Sequence, residues 1–139
     1  MVDFIADNDL TVHAVLNTHC HLDHIFGNAF CVEKYGVDLY AHQEELFTLG
    51  LAEKSAQLYG FPGFVPSPTP TIFISDNETL QFGSLTFQVI FAPGHSVGHV
   101  AFYNAANELL IGGDILFKGS FGRTDLPGGS METLKKSIH

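Results

Sequence analysis

The spacing of apolar and polar positions predicts a mixed first half and a sheet-rich second half. Thr11 to Asn17, TVHAVLN, is an apolar, β-branched run that predicts a buried strand. From Ile25 to Tyr35 the apolar residues Ile25, Phe26, Ala29, Phe30 and Val32 recur at helical spacing, and Gly36 supplies a stop. Val37 to Ala41 reads as a second short strand. His42 to Tyr59 sets Leu46, Leu49, Leu51 and Leu58 against Glu44, Glu45, Glu53 and Lys54, the pattern of an amphipathic helix bent near Gly50. Four prolines between Phe61 and Pro70 exclude regular structure there. The runs TIFIS, ETLQF, SLTFQVIFA, HVAFYN and ELLIGGD follow, separated by turn residues, and predict a meander of short antiparallel strands. Gly128 to Ser130 opens a final helix, with Ser130 as N-cap, Glu132 in the first turn, and Leu134 and Ile138 on one face.

Composition narrows this picture. In 139 residues, 45% hydrophobic, there is room for one core, so residues 1–139 are read as a single α/β domain. The balance of 15 acidic against 6 basic residues argues against nucleic acid or an anionic membrane as partner. Two cysteines, Cys20 and Cys31, are too few for a disulfide framework. With no signal peptide and no apolar run long enough to span a bilayer, a cytoplasmic enzyme is the expectation.

The chemistry is concentrated at strand ends. In THCHLDH, Thr18 to His24, two histidines two positions apart at the end of a strand point to one side, and Asp23 and His24 follow where the chain turns. Imidazole nitrogens and a carboxylate gathered in this way suit Zn²⁺ and similar borderline ions. FAPGHSVGH presents His95 on a Pro-Gly turn after an apolar strand, and LLIGGD ends another strand on Asp114, its two glycines letting the backbone approach closely. Each of the two short segments is a weak signal by itself. Their order and their common position at strand ends make the set a strong one.

Taken together, His19-x-His21-x-Asp23-His24, Gly94-His95-Ser96-x-Gly98-His99 and Gly113-Asp114 resemble the signature of the metallo-β-lactamase superfamily over nearly the whole chain. The resemblance implies an αββα sandwich. It implies that His19, His21 and His95 hold one metal, that Asp23 and His24 hold a second, and that Asp114 bridges the two. His99 matches a position that is usually not a ligand and is read as ordering its loop from behind the ligands. Gly122-Arg123-Thr124-Asp125 resembles the glyoxalase II-like, thiolester-hydrolysing branch. Arg123 and Asp125 are expected to brace the site as a buried ion pair, or Arg123 to meet a substrate carboxylate.

The function implied is hydrolysis of a thiolester such as a hydroxyacylglutathione by a metal-held hydroxide, with Asp23 and Asp114 as the catalytic carboxylates. One or two Zn²⁺ ions per chain are expected, iron and manganese being compatible with the same donors. A mononuclear iron enzyme of the persulfide dioxygenase type shares the Gly-Arg-Thr-Asp motif and is the alternative. A non-catalytic metal-binding module is the alternative of another class. Members of the resembled family carry strands before the region that begins here at Met1 and a later histidine completing the second site. The sequence is therefore read as an incomplete sandwich, with the second site one ligand short and exposed strand edges favouring homo-oligomers.

Overall fold

The computed structural model describes all residues, 1–139. A short helix, α1 (Val2–Asp7), buries none of its residues and has no counterpart in the pattern reading. Strand β1 (Ala14–Leu16) then leads to two helices, α2 (Leu22–Ile25) and α3 (Asn28–Tyr35), where the apolar spacing predicted one. The break falls at Phe26-Gly27, and it puts Asp23 and His24 on a helical turn of their own. Gly36 ends α3 as expected, in the left-handed conformation with its amide donating to Val32.

Strand β2 (Asp38–His42) is followed by α4 (Glu45–Leu49) and α5 (Ala52–Leu58), so the helix predicted over His42 to Tyr59 is two helices meeting at Gly50. The proline segment is irregular, as four missing or restricted donors require. Strand β3 (Ile72–Ile74) corrects the expected meander. It pairs parallel with β2, Tyr40 opposite Ile72, in a three-stranded parallel sheet ordered β1-β2-β3. Hydrophobic alternation carries no strand direction, whereas the helices and loop between β2 and β3 form the long crossover that parallel neighbours need.

The remaining strands do meander: β4 (Thr79–Phe82), β5 (Leu85–Phe91), β6 (Val100–Asn104) and β7 (Leu109–Ile111) form an antiparallel sheet in that order. A small hairpin, β8 (Leu116–Phe117) with β9 (Ser120–Phe121), and α6 (Met131–Ile138) close the chain. Ser130 caps α6, its hydroxyl accepting the Thr133 amide at 3.2 Å.

Alternation along the strands explains the layers. Tyr40 faces a core shared by both sheets, built from Ile74, Leu80, Phe87, Val89, Val100 and Phe102, while Ala41 faces the helices with Cys20, Leu22 and Ile25. On β6, Phe102 points into the inter-sheet core and Ala101 points outward to Leu134 of α6. The result is helix, sheet, sheet, helix: the αββα sandwich. No helix is long and apolar enough to cross a membrane.

Candidate metal centre

One end of the sandwich gathers the loops that follow β1, β5 and β7. The loop after β1 is held when Asn17 donates its amide to Tyr40 and Val100 donates its amide to Thr18, at 2.9 and 2.8 Å. Asn17 also reaches forward, its Nδ2 donating to the His24 carbonyl at 3.2 Å. The loop after β5 is pinned from behind by α6: the Ser130 amide donates to the Gly94 carbonyl, and the Ser137 hydroxyl to the Pro93 carbonyl.

Within this frame three imidazole nitrogens converge. His21 Nδ1 lies 2.9 Å from His95 Nε2, which lies 3.2 Å from His19 Nε2. His95 Nδ1 faces the Arg123 carbonyl oxygen at 2.8 Å, and since that oxygen only accepts, the neutral ring carries its proton on Nδ1 and presents a bare lone pair at Nε2. Burial, reinforced by His99, His24, His21 and His95, holds His19 far below the ordinary imidazole range. Burial and the nearby His95 push His21 down to about 4. Lone pairs aimed at a common point, with His19 and His21 on rings that resist protonation, ask for a cation. Nitrogens about 2 Å from a tetrahedral ion stand roughly 3.3 Å apart, close to the spacing found here.

A second group adjoins the first. His24 Nε2 is 3.3 Å from Asp114 Oδ1, and Asp114 Oδ2 is 3.6 Å from His95 Nε2, so this carboxylate stands between the two clusters. His19, His21 and His95 form one convergent donor set, and His19, His24 and Asp114 the other. Asp23 stays at the rim, largely exposed, 3.7 Å from His24 Nε2 and outside both sets. His139 ends α6.

His99 lies behind the donors. Its Nε2 accepts the Asp114 amide at 3.1 Å, and its ring stacks on His19 with centroids 4.7 Å apart. Burial, then the neighbouring His95, lowers it to about 3. Gly113, in the left-handed region at φ +53°, passes so close that a Cβ would stand 2.6 Å from Thr18 Oγ1 and 2.7 Å from His99 Nε2. Gly112, paired with it in the sequence reading, has open space around it. The glycine that matters equally is Gly122, where a Cβ would overlap the Asp114 carbonyl oxygen.

The expected buried Arg123–Asp125 ion pair is corrected. Arg123 does grip Asp125 through two bonds of 2.7 Å, but both side chains are mostly exposed. Hydrogen bonding from Arg123 brings Asp125 down to about 2, and the same bond raises the guanidinium. The bracing of the site comes from the Arg123 backbone carbonyl on His95. The pattern reading also missed Glu45, placed on the polar face of a helix but in fact 1% exposed and bonded to the histidine loops. A glutamate after a strand looks the same in sequence whether it faces solvent or a loop that folds over it.

A cavity of about 330 Å³ opens onto the centre. His21, Asp23, His95 and Asp114 lie on its polar side, Phe26, Leu51, Tyr59 and Phe61 on its apolar wall, and Arg123 at its edge. The Thr48 hydroxyl, beside this wall, is buried without a partner.

Comparison with known proteins agrees with this architecture. Residues 3–139 match the family model described as metallo-beta-lactamase superfamily. The "Probable metallo-hydrolase YqgX" of Bacillus subtilis is 40% identical over 138 residues, covering 98% of this chain and 64% of that protein. The hydroxyacylglutathione hydrolase GloC of Haemophilus influenzae is 31% identical over 139 residues, covering 99% and 66%. This chain thus spans just under two thirds of the length of these curated relatives. Among solved structures, TTHA1623 in a di-iron-bound form is 35% identical with a TM-score of 0.90, over 99% of this chain and 67% of that one.

Proposed function

The chain belongs to the metallo-β-lactamase superfamily, and from that premise we propose that it is a zinc-dependent hydrolase of thiolesters such as hydroxyacylglutathiones. The observation that carries this reading is the convergence of the His19 and His21 nitrogens on His95 Nε2, at 3.2 and 2.9 Å, beside a half-apolar cavity. In it His19, His21 and His95 would hold one ion, and His24 and Asp114 would hold the second, with Asp23 at the rim beside His24. Similarity to GloC supports the substrate class, as does the Gly122-Arg123-Thr124-Asp125 motif.

Bound zinc supplies Lewis acidity, lowering the pKa of water toward neutrality and polarising a carbonyl. The protein's own groups do the rest. The Arg123 carbonyl keeps the His95 proton on Nδ1, and the Thr18 hydroxyl, 3.1 Å from His19 Nδ1, orients that ring. His99 fixes the Asp114 backbone and the plane of His19 together. Asp23, at the cavity rim, accepts a hydrogen bond from the attacking water and aims it at the thiolester carbon. The apolar wall of Phe26, Leu51, Tyr59 and Phe61 receives the carbon skeleton, Arg123 attracts a substrate carboxylate, and the sulfur departs as a thiolate.

The test is thiol release from a hydroxyacylglutathione by the zinc-loaded chain. Release that stops with a chelator and returns with zinc is expected. Chelator-resistant release would overturn the reading. Iron is the second reading, favoured by the di-iron form of a relative 35% identical to this chain. Oxygen consumption with a persulfide by an iron-loaded sample, without thiolester cleavage, would favour the dioxygenase alternative.

A further inference from the structure

Glu45, the first residue of α4, is 1% exposed, and no lysine, arginine or histidine pairs with it. A carboxylate so placed is costly unless its oxygens are satisfied and an opposite charge lies within reach. The first condition is met by three donors. The Cys20 amide donates to Oε2 at 2.7 Å, and the Ser96 hydroxyl and the Gly98 amide donate to Oε1 at 2.6 and 2.7 Å.

These donors are placed in a telling way. Cys20 lies between His19 and His21, Ser96 follows His95, and Gly98 precedes His99. One side chain therefore ties together the two loops that supply the three convergent imidazoles. No side-chain cation pairs with Glu45, and a cation held by those imidazoles would supply the missing positive charge.

We propose that Glu45 is the positioning residue of the metal centre, clamping the His19–His21 loop to the His95 loop and supplying the buried negative charge that offsets the bound cation. This rests on the metal reading above. Its residues are outside the donor sets themselves, so the clamp can be altered with every ligand in place.

Zinc affinity, measured with zinc alone by competition against a chromophoric chelator, tests it on the full chain. Thermal unfolding of zinc-loaded and metal-stripped samples is followed in parallel. Glu45→Gln keeps the shape but loses the charge and leaves one donor facing an amide nitrogen. Its zinc affinity should fall by about ten- to a hundredfold, the cost typical of residues that orient metal ligands. The gap between loaded and stripped unfolding temperatures should narrow with it. Ser96→Ala keeps the charge and removes one bond, and its affinity should fall by about fivefold, the worth of a single hydrogen bond.

A Glu45→Gln protein that loses stability equally in both forms and binds zinc as tightly as the parent would overturn the proposal. If that variant does not fold, unchanged zinc affinity in Ser96→Ala overturns it by the same measurement. A parent chain that fails to bind zinc would instead sink the metal reading and this inference together.

Discussion

The His95 ring hangs from the backbone of Arg123: its Nδ1 lies 2.8 Å from the Arg123 carbonyl oxygen, while the Arg123 side chain grips Asp125. The motif thus serves the centre through its main chain. Arg123→Ala should leave zinc affinity nearly unchanged, because it preserves the carbonyl. Gly122→Ala should lower it by at least about tenfold, because the new methyl overlaps the Asp114 carbonyl and lies 3.0 Å from His95 Nδ1. Chelator competition on the two variants checks this, and the reverse ranking would refute it.

Double replacement of His19 and His21 by alanine should abolish stoichiometric metal binding, since it removes two of the three convergent nitrogens. Asp114→Ala should spare more of the binding, because the three imidazoles remain, while thiolester hydrolysis falls by about a hundredfold or more. Elemental analysis after gel filtration, with thiol release measured alongside, separates the two effects. A full equivalent of metal in the double variant would discard the assignment.

What was legible in the sequence follows from the physics each pattern encodes. His19, His21, His95 and Asp114 stand out because donors of one chemical kind recur at strand ends, where a fold can bring distant segments together. The parallel pairing of β3 and the split at Gly27 were hidden, because alternation and helical spacing report burial and say nothing of direction or continuity. Glu45 and the Arg123 carbonyl were hidden for a different reason: one is an ordinary polar residue on a helix, the other a main-chain atom carried by every residue. Their roles exist only once residues far apart in the chain are in contact.

Acid should destabilise the metal-stripped fold selectively. Burial is the leading cause that pushes His21 down to about 4 and His99 down to about 3 from the ordinary 6.5, and His19 is lowered further. The unfolded chain therefore binds protons that the folded chain refuses. Stability is full above pH 6.5 and declines as pH falls from there toward 3. Chemical denaturation of metal-stripped protein across that range measures it. Stability that rises as pH falls from 6.5 toward 4 would contradict the neutral, buried state of these rings.

Leu134 joins the outer helix to the loop that presents His95. Its side chain is fully buried against Ala92, Ala101 and Ile115, and its helix holds the Pro93 and Gly94 carbonyls through Ser137 and Ser130. Leu134→Ala removes apolar contact and leaves a cavity, at a cost of about 2 to 5 kcal/mol for a buried leucine. Because the helix is docked through that residue, the loss should also loosen the turn beneath His95, and zinc should dissociate faster from the variant than from the parent. Ser130→Ala removes only the cap, at about 1 kcal/mol, leaves the Ser130 amide on Gly94 in place, and should leave zinc dissociation nearly unchanged. Denaturant melts paired with stopped-flow chelation distinguish the two. Equal dissociation rates in Leu134→Ala and the parent would show that the His95 loop holds its shape without α6.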